Sequence, residues 1–534
     1  MKRVAAAAAM FVSICALGAC TIPEPAEPTL SMTDYINVAS KEPSNSLIPS
    51  QVDESTQVKL AQLLFSGLMY FDTNGETKKD IASAILVNPD CSEYDIEINK
   101  NLTFSDGTPL RAANFARAWN DAAKASNKRA SAYLFRPIAG FSAIKDSELS
   151  GIEIINEYRF KVHLSQPTCE FMTRLATLPF APLPDAAFDK DGNVTEIFGL
   201  NPFGYGPYQL AHDGAWERGT QVILVNNERY RGNRRPKNNG LVFKFYTDTD
   251  QAYDDLLAGK IDIDDDLPMA AYKTYKDNLE GRAAKKASAR LVMLALPVNG
   301  HFAPTTPEGT LRRQAISMSL NRQEITQTFF AGIRFPATDF TTPAAPGHVQ
   351  VMNGADVLQY NPSRAKQLWA QANDISPWED DAVLRIAVPQ LGQTAWMDAV
   401  VSSLSSTLGI KVETAKVAGQ TPPTAAAGSV MDWQGLYPSP TAYLEPLFAS
   451  WGSANEFGYA SPAFDGCLSN TYRSALGENF NQELNKCQAI LAQDLPVVPL
   501  WYASVMTGWT EKIPEMRLNW RGIPQYWKVS KFKG

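Results

Sequence analysis

Histidine is scarce in this sequence, no two cysteines stand in Cys-x-x-Cys spacing, and beyond the first twenty residues no long apolar run occurs. Four His are scattered through 534 residues, at His163, His212, His301 and His348. No two of them share a helix face, and no Cys-x-x-Cys pair exists, so a zinc centre of ordinary ligand spacing is not expected. HExxH, GxSxG and the phosphate-binding Walker loop are missing too, which removes zinc-protease, α/β-hydrolase and P-loop chemistry from the motif level. Gly204 and Gly206 lack the third glycine of a dinucleotide fingerprint and precede a strand pattern, not a helix. Positive charge is in deficit: 49 Lys and Arg face 56 Asp and Glu, a net charge of -7. Nucleic acid selects the opposite surface, so none is expected as a partner. With 45% hydrophobic residues, disorder is not indicated either, and the chain is long enough for two or three packed domains.

The one apolar stretch lies at the N-terminus. Lys2 and Arg3 precede a run from Val4 to Ala19, too short for a membrane span but right for the core of a signal peptide. It ends in Leu17-Gly18-Ala19-Cys20, which resembles the lipobox of bacterial lipoproteins, where cleavage leaves the Cys to carry lipid. Residues 1–19 are read as a lipoprotein signal peptide and Cys20 as the lipidated residue. Residues 20–30, rich in Pro and Glu, are read as a tether that cannot pack. Cleavage removes two cations and no acid, taking the net charge from -7 to -9. The other cysteines of the exported chain are Cys91, Cys169, Cys467 and Cys487. An even count outside the cytoplasm points to disulfides, with free buried thiols as the alternative.

Strand-like and helix-like segments alternate, which predicts an α/β fold. Ile36–Ala39 reads as a strand, and Val58–Tyr70 as an amphipathic helix. Tyr94–Ile98 is a strand pattern, Asp106-Gly107-Thr108-Pro109 a turn, and a helix follows with Phe115 and Trp119 on one face. Leu311, Ala315 and Met318 mark a helix. Asn321 and Glu324 fit a capping box for the next, which Gly332 closes. Asn361-Pro362 opens a further helix, Leu384–Val388 reads as a strand, and Pro422–Gly428 as a loop. Two helices around Cys467 and Cys487 are joined by Gly477-Glu478-Asn479. An antiparallel pair would bring these Cys together, leaving Cys91 with Cys169. A short apolar stretch, Val497–Trp501, comes last. Asp262 and Asp264–Asp266 form an acidic run whose spacing is not that of an EF-hand, so a solvated turn is expected in preference to a calcium site. No metal or cofactor is expected anywhere. Eleven Trp and nineteen Tyr suit an aromatic-lined cleft, and a large core nearly as well.

In this order the segments resemble the extracellular solute-binding proteins, family 5, of bacterial oligopeptide and dipeptide ABC importers. The resemblance is carried by LFSGL at Leu64–Leu68 with Tyr70-Phe71-Asp72 and Gly75, and by IEINKNLTFSDGTPL at Ile96–Leu110. It continues through GYGPY at Gly204–Tyr208, Asn226–Tyr230, the turn Ala258–Ile263 and the helix pair Arg312–Ile325. It implies a two-lobed, type II clamp of the periplasmic-binding-protein kind, with an extra subdomain in the first lobe. Residues 31–296 would form lobe I with that subdomain, residues 297–499 lobe II, and residues 500–534 a return to lobe I. The implied role is that of a monomeric, non-enzymatic, lipid-anchored subunit on the extracytoplasmic face of the cell membrane. It would capture oligopeptides or dipeptides and deliver them to a permease. A non-peptide solute such as nickel, haem or a sugar is the alternative, as is an exported hydrolase or adhesin built on the same fold.

A clamp for peptides of varied sequence must hold backbone and termini, for instance by adding the ligand as a strand. The resemblance places Lys41, Glu42 and Pro43 at such an edge. It sets Tyr133 in the wall of the first lobe and Trp433 and Tyr437, within DWQGLYPSP, in the second. Oligopeptide binders carry an Asp just before that Tyr, where it pairs with the ligand amine. Here Leu436 stands in its place, and Asp432 or Glu42 are the candidates to supply the charge.

Overall fold

The computed structural model describes residues 34–532 apart from 45, 53, 305, 349–351, 390–393 and 457. The leader, the tether and Cys20 therefore lie outside the described residues. Within them the fold is mixed α/β with two lobes. A 12-stranded sheet runs through both. One end holds Lys411–Val417, Val383–Pro389 and Ala427–Gln434; the other holds Ile263–Asp264, Ile36–Ser40, Gly240–Phe245, Gln221–Asn226 and Tyr208–Leu210. Two antiparallel strands of 13 residues, Ala283–Ala295 and Val497–Trp509, join the two ends. Their pairing runs from Ala283↔Gly508 to Ala295↔Val497 and slips between Ala287 and Leu291, an irregularity of the kind that adds local twist.

Ile36–Ser40 sits in the sheet interior, parallel to both Gly240–Phe245 and Ile263–Asp264. Cover on both faces explains why four of its five residues are buried. A four-stranded antiparallel sheet, Ala82–Val87, Glu93–Ile98, Arg159–His163 and Ile152–Asn156, is separate from the large one. The helix Ala112–Ala123 packs on it: Phe115 and Trp119 both meet the Phe160 ring, and Trp119 Nε1 donates to the Phe180 carbonyl at 2.9 Å. Further along the chain, Asn321 Oδ1 accepts from the Glu324 N–H at 3.1 Å, and Asn361 caps a helix with Pro362 in its first turn. Cys91 is bonded to Cys169, and Cys467 to Cys487 across the helices Pro462–Tyr472 and Glu478–Asp494.

Three local expectations need correction. The helix expected over Val58–Tyr70 spans Ser55–Leu64, and Met69–Phe71 pairs instead with Thr77–Lys79 as a hairpin. The apolar residues of both elements read as one run because only Ser66 and Gly67 separate them. The short stretch from Val497 continues as strand to Trp509, since Ser504 and Thr507 pair with Ala287 and Ala284 of the other long strand. The acidic run is no solvated turn: Asp262, Asp264 and Asp265 are 2%, 1% and 4% exposed.

Candidate functional site

A cleft of about 540 Å³ opens where the long strands pass between the lobes. Its walls come from several distant places in the chain. Lys41 and Glu42 follow the central strand, and Glu54 to Lys59 form the start of the first helix. Asp264–Asp266 lie beyond the strand they end, Arg290 and Gln434 face in from paired strands, and Arg521–Ile523 come from the return segment. A smaller cavity of about 110 Å³ adjoins it, lined by Val52, Leu436 and Trp520 among others, and Arg521 borders both.

Most charges around the cleft are already paired. Lys59 Nζ donates to Asp265 at 2.5 Å, and the Tyr526 hydroxyl donates to the other oxygen at 2.9 Å. Lys41 reaches Asp266 at 3.0 Å on the exposed rim. Glu42 accepts from Trp216 Nε1 and the Gly219 N–H, and lies 3.4 Å from Arg218. Glu54 is held by the Ser44 hydroxyl and closes a capping box with Gln57. Arg290 Nε donates to Asp432 at 2.9 Å.

Two groups are not paired in this way. Asp264 accepts one bond, from the Asp266 N–H at 3.1 Å, and its Oδ2 is buried without a partner. Burial, with Asp265 and Asp266 nearby, pushes its carboxyl up to about 7. Arg521 is 8% exposed, has no carboxylate within ion-pair distance among the described residues, and its Nε is without a partner. Burial pulls its guanidinium down to about 10. A tight turn presents it. Asn519 Oδ1 accepts from the N–H groups of Arg521 and Ile523, and Gly522 adopts φ +84, a backbone that favours glycine.

The aromatic residues singled out from the sequence stand elsewhere. Tyr133 is 5% exposed and Tyr437 fully buried, and neither lines the cleft. Trp433 tilts against Tyr133 with ring centroids 6.5 Å apart and donates Nε1 to the Ala442 carbonyl at 2.8 Å. The Tyr437 hydroxyl lies 3.1 Å from Thr441 Oγ1. These side chains belong to a buried seam between the helices Phe171–Arg174 and Thr441–Phe448. There Arg174 Nη2 donates to Glu445, which also accepts from the Tyr472 hydroxyl at 2.7 Å. Glu170 accepts from the hydroxyls of Ser439 and Thr441, and the Cys169 N–H donates to the Tyr472 carbonyl. Of the other expected residues, Lys41 and Glu42 line the cleft, Pro43 is buried beside it, Leu436 lines only the smaller cavity, and Asp432 is tied to Arg290. Sequence reasoning missed Arg521, Lys59 and Arg290. No local pattern distinguishes a lone Arg in a Trp-Arg-Gly turn from a surface one. Among the described residues no group of three His, Cys, Asp or Glu converges as a metal site.

Two lobes sharing long strands, pressed together over a charged cleft, define the architecture of a solute-binding clamp. The profile of bacterial extracellular solute-binding proteins, family 5 Middle, matches residues 76–455, and the chain belongs to that family. It is 22% identical over 501 residues to the oligopeptide-binding protein OppA of Bacillus subtilis, covering 88% of this chain and 87% of that one. The solved structure of the Escherichia coli murein tripeptide binding protein MppA superposes with a TM-score of 0.77 at 20% identity, over 94% of this chain and 99% of that chain. NikZ from Campylobacter jejuni, solved in complex with Ni(L-His), superposes with a TM-score of 0.75 at 19% identity, over 93% and 99% of the two chains. The likeness to these two structures concerns the fold.

Proposed function

We propose that this chain is the lipid-anchored capture subunit of an ABC importer, taking up short peptides outside the cytoplasm and releasing them to a membrane permease without turnover. The observation that carries this reading is the cleft of about 540 Å³ between the lobes, whose size falls within the ~300–1,000 Å³ common for small-ligand sites. Its rim and walls carry charge of both signs, which suits a ligand of constant backbone and charged ends better than an apolar solute. Lys41 and Glu42 border the ligand in this reading, and the smaller cavity with Leu436 takes a side chain. Tyr133, Trp433 and Tyr437 act behind the site, by holding the lobes together. The lobes divide near residues 296 and 499, where the long strands enter the second lobe. Cys20 carries the anchor.

Mass spectrometry of ligand released from the purified protein tests the reading. Short peptides are expected, together with a change in tryptophan fluorescence on adding them back. Recovery of a metal complex or a sugar, with no response to peptide pools, would overturn it. For the anchor, Cys20→Ala should move the protein from the membrane to the soluble extract, and a variant that stays membrane-bound refutes the lipoprotein assignment.

A further inference from the structure

Six arginines are buried among the described residues: Arg174, Arg234, Arg312, Arg313, Arg322 and Arg521. Five of them have a counter-ion or carbonyl acceptors, although Nε and Nη1 of Arg174 and Nη1 of Arg312 lack partners. Arg174 pairs with Glu445, Arg234 with Asp80, and Arg312 with Glu308. Arg313 and Arg322 have no acid but donate to backbone carbonyls, Arg313 Nε to Phe302 at 2.7 Å and Arg322 Nε to Pro499 at 2.8 Å. Arg521 is the exception. Its side chain makes no hydrogen bond or ion pair among the described residues, and its closest charge-stabilising contact is the Trp520 ring, 5.6 Å from Cζ. The buried acids show the same contrast. Asp80, Asp121, Asp262, Asp265 and Glu445 each meet a Lys or Arg, Asp339 meets His348, and Glu170 accepts from two hydroxyls. Asp264 meets one backbone N–H and leaves Oδ2 bare.

An uncompensated buried charge is costly, and a chain that gives its other buried charges a counter-ion or hydrogen-bonding partners has no folding reason to keep two that lack them. Both unmatched groups line one cleft, and they are not within ion-pair distance of each other. We infer that Arg521 receives the carboxylate end and Asp264 the ammonium end of a short zwitterionic peptide, so that the ligand supplies the two missing countercharges. This rests on the peptide reading above and names the groups that would select within it. It also replaces the two acids that the sequence suggested for the amine. Asp432 is held by Arg290, and Glu42 is occupied by Trp216, Arg218 and Gly219. A guanidinium suits a carboxylate because its planar donors match two oxygens at once, and Arg521 Nε is free to take part.

The inference separates ligand ends that are otherwise hard to tell apart. Full-length protein is offered one pool of tripeptides in three forms, free, C-amidated and N-acetylated, and a retained peptide is titrated by calorimetry. Amidation and acetylation are each expected to weaken binding at least tenfold. In Arg521→Gln the loss on amidation should vanish while the loss on acetylation persists; in Asp264→Asn the reverse should hold, and Arg521→Lys should restore part of the discrimination. Thermal unfolding without ligand gives an independent check. Neither R521Q nor D264N should lower the midpoint, because each removes a charge that the empty protein leaves unpaired. Peptides that bind with blocked and free ends alike would overturn the inference while leaving peptide capture intact. So would R521Q that still discriminates as the wild type does, or a variant that melts lower. Retention of no peptide in any form would overturn the functional reading itself.

Discussion

Glu170 is a carboxyl with two hydroxyl donors, Ser439 and Thr441, and no direct ion pair. Burial is the largest influence on it and pushes it up to about 7 from the usual 4.5, against the opposing pull of Arg174 and the two hydroxyls. The folded protein therefore holds a proton at pH values where the unfolded chain has released it. The stabilisation is complete below about pH 4.5 and is lost as pH rises through about 7. At ~1.4 kcal/mol per pH unit, the loss is on the order of 3–4 kcal/mol. Asp264 has a shift of the same sign, so the wild type alone would not isolate either group. Comparing urea midpoints at pH 5 and pH 8 for wild type and Glu170→Gln does so. The wild type should lose more stability than E170Q over that interval, and parallel losses would show that Glu170 does not ionise within it. Sequence gave no sign of this carboxyl, because its environment is assembled from residues some 270 positions downstream in the chain.

Elements whose cause is local were readable in advance. Asn321 with Glu324, and Asn361 with Pro362, announce helix starts because cap and helix lie within one turn of each other. Strand pairing was not readable: nothing near Val497 announces that it lies opposite Ala295, some two hundred residues away, or that Ser504 and Thr507 extend the strand. The helices Pro462–Tyr472 and Glu478–Asp494 fall between these cases, since a short loop dictates an antiparallel pair and so places Cys467 near Cys487. That bond closes a loop of 20 residues and is worth about 3 kcal/mol in the chain-entropy account. Replacing both Cys467 and Cys487 by Ala should lower the unfolding free energy by about that much. Peptide mapping without reductant should recover both Cys467–Cys487 and Cys91–Cys169, and four free thiols would refute the pairing.

For the whole molecule, the question is what holds the lobes together. The seam away from the cleft contributes Arg174 with Glu445, Glu170 with Ser439 and Thr441, and the Arg136 guanidinium over the Trp451 ring at 4.4 Å. In the lobe division proposed above each contact has one partner on either side, so opening the clamp would break all of them and return the charges to water. On that division their energy would belong to the closing equilibrium and not to the folding of each lobe. Glu445→Ala leaves Arg174 buried without its acid, a loss of about 3–5 kcal/mol for a buried pair. The protein can escape that cost by opening. An open clamp binds more weakly in proportion to the fraction still able to close, so a shift of ~3 kcal/mol weakens apparent affinity by about a hundredfold. E445A should therefore show a larger radius of gyration by small-angle X-ray scattering without ligand, weaker peptide binding, and a nearly unchanged urea midpoint. An unchanged radius with a lowered midpoint would mean that the Arg174–Glu445 pair belongs to a rigid core and that closure is governed elsewhere.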